Sequence, residues 1–232
     1  MGRRKRTFFF TRAEKAFQHA RATLEAAPND PTNCWQFART CFDWADFSTN
    51  SAQREETARL GIAAVNRLIA LDPRSAPGHY YLAMNYGQLA EAVEPSLTAF
   101  RLVKQIEAEF TLTATLDAHL DYAGPARNLG LLYRDAPGWP LSIGSKRKAG
   151  EFLKLAVTLN PEYPENVLNL AESQLQWRLK EETEKTLRML DAIWPAARTN
   201  FVGEAWEQSW SDWIHRRAAV KVAFQRVYNS AP

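Results

Sequence analysis

The chain has 232 residues, 46% hydrophobic and 24% charged, a composition that suits a folded domain or a short repeat array and excludes disorder throughout. No stretch approaches the ~20 consecutive apolar residues of a membrane-spanning helix. The formal charge is +3, and Arg3, Arg4, Lys5 and Arg6 supply four positives, so the remainder carries −1 and offers no basic face for nucleic acid.

Residues 1–10 read as a basic tail or a shortened start. The quartet has two readings, a solvated terminus or a contact with anionic lipid or nucleic acid. Phe8, Phe9 and Phe10 are too short an apolar run for a signal-peptide core. The expected compartment is therefore the cytoplasm if Met1 is the true start, and the bacterial periplasm or envelope if a signal segment precedes it. Helical periodicity then predicts helices over 11–27, 31–47 and 52–71. It continues over 76–92, 95–118, 124–134 and 145–159, then 163–178, 181–194 and 201–228. Runs of β-branched residues bounded by turns are nearly absent, so no sheet is expected. The plan is a tail over 1–10, helical repeats over 11–200 and a capping segment over 201–232.

Cys34 and Cys41 stand two turns apart on one predicted helix. At ~1.5 Å per residue their Cα atoms lie ~10 Å apart, beyond disulfide reach. They read as small core residues, with no further metal ligands nearby in sequence. No metal or other cofactor is expected.

The predicted helices pair. Four first helices carry an apolar residue followed by a small one: Phe37-Ala38, Leu82-Ala83, Leu129-Gly130 and Leu170-Ala171. A small residue is needed where two helices cross closely, because a large one would push the backbones apart. Second helices are expected to end at proline, before Pro28, Pro73, Pro161 and Pro195, since proline cannot continue a helix. With Cys41, Tyr86 and Tyr133 three residues after the small position, the pattern resembles the tetratricopeptide repeat over most of residues 11–195. That resemblance implies an all-α, right-handed solenoid of stacked antiparallel helix hairpins, a binding scaffold and not an enzyme. The small residues recur every 41 to 47 positions against about 34 in that repeat, so longer helices or loops are expected.

The predicted last helix carries an apolar stripe of Trp206, Trp210, Trp213, Val220, Phe224 and Val227. It reads as a cap over the end of the stack, or as a partner-binding or membrane-surface helix.

No phosphate-binding glycine loop, nucleophile elbow or His-Glu-x-x-His motif is present. His119 with Asp117 and Asp121 reads as an acid/base cluster or a solvated junction. The segment 135–144 is longer than a helix hairpin needs, and Pro137 and Pro140 restrict it. Its Trp139, Leu141 and Ile143 alternate along an extended chain. Either they form a wall of a binding groove with Trp139 as anchor, or Trp139 fills a gap between helices. If the loop is not the wall, the first helices are, around Trp35, His79 and Tyr80. The expected partner is a protein or peptide segment, and an oligomer is possible.

Residues 123–171 also resemble the T component of tripartite ATP-independent periplasmic transporters. The likeness runs through Leu129-Gly130, Leu132-Tyr133, Pro137-Gly138-Trp139-Pro140-Leu141-Ser142 and Leu159-Asn160-Pro161. It implies a transport accessory that docks a substrate-binding protein and holds a small apolar ligand.

Overall fold

The computed structural model describes residues 3–93 and 97–228, with side chains over 8–93 and 98–228. The predicted helix start at 95, residues 229–232 of the predicted cap and the basic side chains of Arg3–Arg6 lie outside these. The described residues form helices and turns without a strand. They fall into two units, Met1–Leu120 with Pro137–Ile143, and Asp121–Ala136 with Gly144–Pro232.

The first unit holds α1 (Arg3–Ala26), α2 (Pro31–Ala45), α3 (Ser51–Leu71), α4 (Ala76–Ala92) and α5 (Leu97–Leu116). Three of these starts are written in the sequence. Asp30, Asn50 and Ser75 each cap a first turn, their side chains accepting from the N–H groups of Asn33, Gln53 and Gly78. Pro31 and Pro77 sit in first turns, where the missing N–H costs nothing. α1 and α3 end just before Pro28 and Pro73. Phe17, Leu24, Cys34, Phe37, Cys41, Ala64 and Leu68 form one core across α1, α2 and α3. Burial pushes both cysteine thiols up from their ordinary range, so they stay as inert packing groups. Ala38 and Ala83 are fully buried at the crossings. Gly61 faces Asn85 so closely that an added Cβ would lie 2.4 Å from its Oδ1. Asn85 bridges two helices, donating to the carbonyls of Ala38 (3.0 Å) and Tyr81 (2.8 Å).

The second unit is built from α6 (Leu120–Asp135), α7 (Lys146–Leu159), α8 (Pro164–Gln176), α9 (Lys180–Asn200) and α10 (Glu207–Tyr228), with a 3-10 turn at Glu204–Trp206. Ala171 is fully buried, and Gly130 meets Leu153 of α7, where an added Cβ would lie 2.7 Å from Cγ. α7 ends before Pro161 as expected. The expected break at Pro195 does not occur: α9 runs through it to Asn200. Proline removes one backbone bond, but the following turn is held by Ala197 and Phe201, both buried in the core of this unit. The last helix is correspondingly shorter than 201–228, because Phe201 closes α9 and Gly203, at φ 91°, turns the chain. α10 packs on α8 and α9 through Trp213, Val220 and Phe224, while Trp206 and Trp210 are half-buried and Val227 is exposed.

α10 is also tied by charge, which the stripe did not foretell. Arg216 pairs with Glu165 (2.6 Å) and Glu172 (2.7 Å) of α8 and donates to Asn169, and the Trp213 indole donates to Glu165 (2.6 Å). Burial alone would raise the Glu165 pKa. The Arg216 guanidinium and the indole bond outweigh it and hold the carboxyl below its ordinary value.

Asp121, Tyr122 and Ala123 have left-handed backbones, with φ of 49°, 55° and 63°, so the α-helical part of α6 begins after them. This conformation costs a non-glycine residue about 1–2 kcal/mol. A hydrogen-bond network around the buried Arg127 and Asn166 holds it. Arg127 donates to the carbonyls of Asp121 (3.0 Å) and Tyr122 (3.3 Å) and pairs with the Asp121 carboxylate. Asn166 donates to Tyr122 (2.9 Å), and the Tyr122 ring stacks on Tyr163 at 4.5 Å.

Candidate functional site

The six residues singled out from the sequence, Trp35, His79, Tyr80, Trp139, Leu141 and Ile143, all fall in the first unit. Their surroundings differ sharply. Tyr80 is 1% exposed and packs on Phe110 of α5, with ring centroids 5.7 Å apart. His79 is buried too. Its Nδ1 lies 2.6 Å from a Glu109 carboxylate oxygen and its Nε2 3.0 Å from the carbonyl of Pro73. Both neighbours are acceptors, so both bonds form together only when both ring nitrogens carry hydrogen. This arrangement ties α4 to α5 and to the turn before α4. Trp35 is half-buried on α2 and stacks on Tyr81 of α4, centroids 5.8 Å apart and planes within 8°.

Trp139 is the opposite case, 88% exposed, and Leu141 beside it is 68% exposed. Ile143 is half-buried. The loop that carries them is ordered by its own backbone: the N–H groups of Leu141 and Ser142 both donate to the carbonyl of Gly138, at 3.1 and 3.3 Å. An indole displayed in this way is not filling a gap between helices. It presents most of its surface to water on a turn closed by its own backbone hydrogen bonds, and it adds nothing to the core.

At the far end of α4 a polar chain links three helices. Arg54 donates to Gln88 (2.7 Å) and pairs with Glu91, and Gln88 donates to Asp46 (2.8 Å). No periodic signal along the chain announces it, since its members come from separate helices. At the helix junction read as an acid/base cluster or a solvated junction, each acidic group has a local partner. The Asp117 carboxylate accepts from the backbone N–H of His119 (2.9 Å), and the Asp121 carboxylate belongs to Arg127. Among the described residues no group of three or more potential metal ligands comes together.

Three solved structures share this helical arrangement over nearly the whole chain. A thermophilic TPR protein of Thermus thermophilus is 20% identical, covering 94% of each chain with a TM-score of 0.64. MamA is 17% identical, over 86% of this chain and 98% of its own, at 0.55. The pilF protein of Pseudomonas aeruginosa is 14% identical, over 97% and 93%, at 0.54. The fold is tetratricopeptide-like. A family model described as regulator of microtubule dynamics protein 1-3 matches residues 7–99, less than half of the chain. No curated protein matches the sequence. The resemblance to the transporter T component rests on residues 123–171 alone and gains nothing from these matches. No described helix is long and apolar enough to cross a membrane.

Proposed function

We propose that this chain is a non-enzymatic scaffold whose first unit binds a protein segment, with Trp139 as the main anchor and Leu141 beside it. The observation that carries the proposal is the 88% exposure of Trp139 on a hydrogen-bonded loop. A large aromatic buries 150–250 Å², and at roughly 25 cal/mol per Å² a partner that covers this indole gains about 4 kcal/mol or more before association costs. Bracing the loop beforehand lowers the ordering cost of binding, so more of that gain reaches the affinity. The half-buried Trp35–Tyr81 stack provides a second aromatic surface in the same unit. The fold supports a scaffold role, since helix-hairpin arrays present side-chain pockets to peptide segments. The family match lies in the same unit, and its description makes tubulin a sensible first partner to test.

The experiment is site-specific photo-crosslinking in cells. A photoreactive phenylalanine analogue at position 139 is compared with the same analogue at Leu155, an exposed apolar position on α7 in the other unit. The proposal expects discrete protein adducts from 139 that are absent from 155, and the same adduct pattern at both positions would overturn it. A separate co-sedimentation with polymerised tubulin decides whether that partner is the one.

A further inference from the structure

Charge is distributed very unevenly along the molecule. α1 carries seven cations, Arg3, Arg4, Lys5, Arg6, Arg12, Lys15 and Arg21, against Glu14 and Glu25, a net +5. The chain totals +3, so everything outside α1 sums to −2. The first four cations stand in the opening turn of a helix, where the macrodipole opposes positive charge. Helix stability therefore does not explain their placement, and a broken local rule of this kind points to a role beyond folding.

The two faces of α1 differ. Phe9, Phe17 and Leu24 are buried, the last two in the core shared with α2, and Phe10 contacts Trp44 and Phe47. On the other side of the register, Phe8, Arg12, Lys15 and His19 follow one another at spacings of three and four. Phe8 is 52% exposed, Lys15 and His19 are exposed, and Arg12 is half-buried. The outer stripe thus sets a half-exposed aromatic ring beside Arg12 and Lys15.

We infer that α1 lays this stripe on an anionic lipid surface, as a peripheral contact. The cations match the negative potential of anionic headgroups, and Phe8 enters the boundary between headgroups and acyl chains. A nucleic acid would match the charge equally well. The lipid reading is preferred because a helix lying in the interface covers the exposed Phe8 together with Arg12 and Lys15 of the same face, next to the cations of the opening turn.

The test uses the full chain and sedimentation with vesicles of phosphatidylcholine, either alone or with about one-third phosphatidylserine. Binding is expected to the phosphatidylserine vesicles only, weakening steeply with salt. Each cation near such a surface contributes about five-fold. Replacing Arg3, Arg4, Lys5 and Arg6 with glutamine together should therefore weaken binding several-hundred-fold, roughly. Phe8→Ser should weaken vesicle binding about ten-fold by removing a half-exposed ring from the contact. It should leave retention on a single-stranded oligonucleotide unchanged. Unchanged far-ultraviolet circular dichroism shows that the variants are folded. Absence of binding to the phosphatidylserine vesicles, equal binding to neutral vesicles, indifference to Phe8→Ser, or tighter binding of the oligonucleotide at the same salt would each overturn the inference.

Discussion

Two glycine-to-alanine substitutions test the helix crossings with opposite expected signs. Gly130 and Gly87 both lie inside helices, so alanine gains each helix about 1 kcal/mol of intrinsic propensity. Their surroundings set them apart. At Gly87 a new Cβ meets nothing within 4 Å. At Gly130 it would lie 2.7 and 2.8 Å from Cγ and Cδ2 of Leu153, and 3.0 Å from that residue's backbone nitrogen. Leu153 is fully buried, so its side chain has nowhere to retreat, and the nearby backbone limits how far the helices can part. Overpacking of this kind costs about 1–3 kcal/mol. Gly87→Ala should therefore stabilise by up to about 1 kcal/mol, and Gly130→Ala should destabilise by as much as about 2 kcal/mol once the propensity gain is subtracted. Gly130→Leu should cost more than Gly130→Ala. In thermal melts 1 kcal/mol corresponds to about 2–4 °C for a chain of this size, so the alanine variants should shift in opposite directions. The reasoning is refuted if Gly130→Ala raises the melting temperature as Gly87→Ala does, for then the crossing is not close.

Other consequences follow from the second unit and the loop. Arg178 ends α8 in the left-handed conformation (φ 61°), where glycine is preferred, so Arg178→Gly should stabilise by about 1 kcal/mol in urea titrations. Deleting residues 201–232 should expose the α8 and α9 core residues that Trp213 covers and lower the melting temperature sharply, since Trp213 is fully buried and truncating one such side chain to alanine alone costs about 3–5 kcal/mol. The depressed Glu165 pKa makes its contribution to stability full above the ordinary glutamate value of about 4.3 and lost as pH falls through the lower folded value. Glu165→Gln should flatten that acid limb when stability is followed against pH. Trp139→Ala should leave the melting temperature nearly unchanged, because the side chain has little native packing to lose.

Much of the fold was legible because its signals are local. The prolines at 28, 73 and 161 and the small residues at 38, 83, 130 and 171 are set by spacing along the chain. The failures came where distant residues decide. Pro195 reads as a stop, but tertiary burial of Ala197 and Phe201 carries α9 past it. The left-handed turn at 121–123 contains no glycine to announce it and depends on Arg127 and Asn166, the latter more than forty residues away. The ties of Arg216 to Glu165 and Glu172 cannot be read along α10, because both carboxylates lie on α8. At the candidate site, periodicity picked out apolar and aromatic positions but not their exposure. Tyr80 and Trp139 look alike in sequence, and only packing separates a 1% exposed ring from an 88% exposed one.

The most direct test of the scaffold account is the affinity of the partner trapped at position 139, measured by titration calorimetry for the intact chain and for Trp139→Ala. The account predicts a loss of about 30-fold, the factor that ~2 kcal/mol implies for an aromatic anchor, at an unchanged melting temperature. Equal affinity for the two proteins would contradict it, and would leave the exposed indole without the role assigned to it.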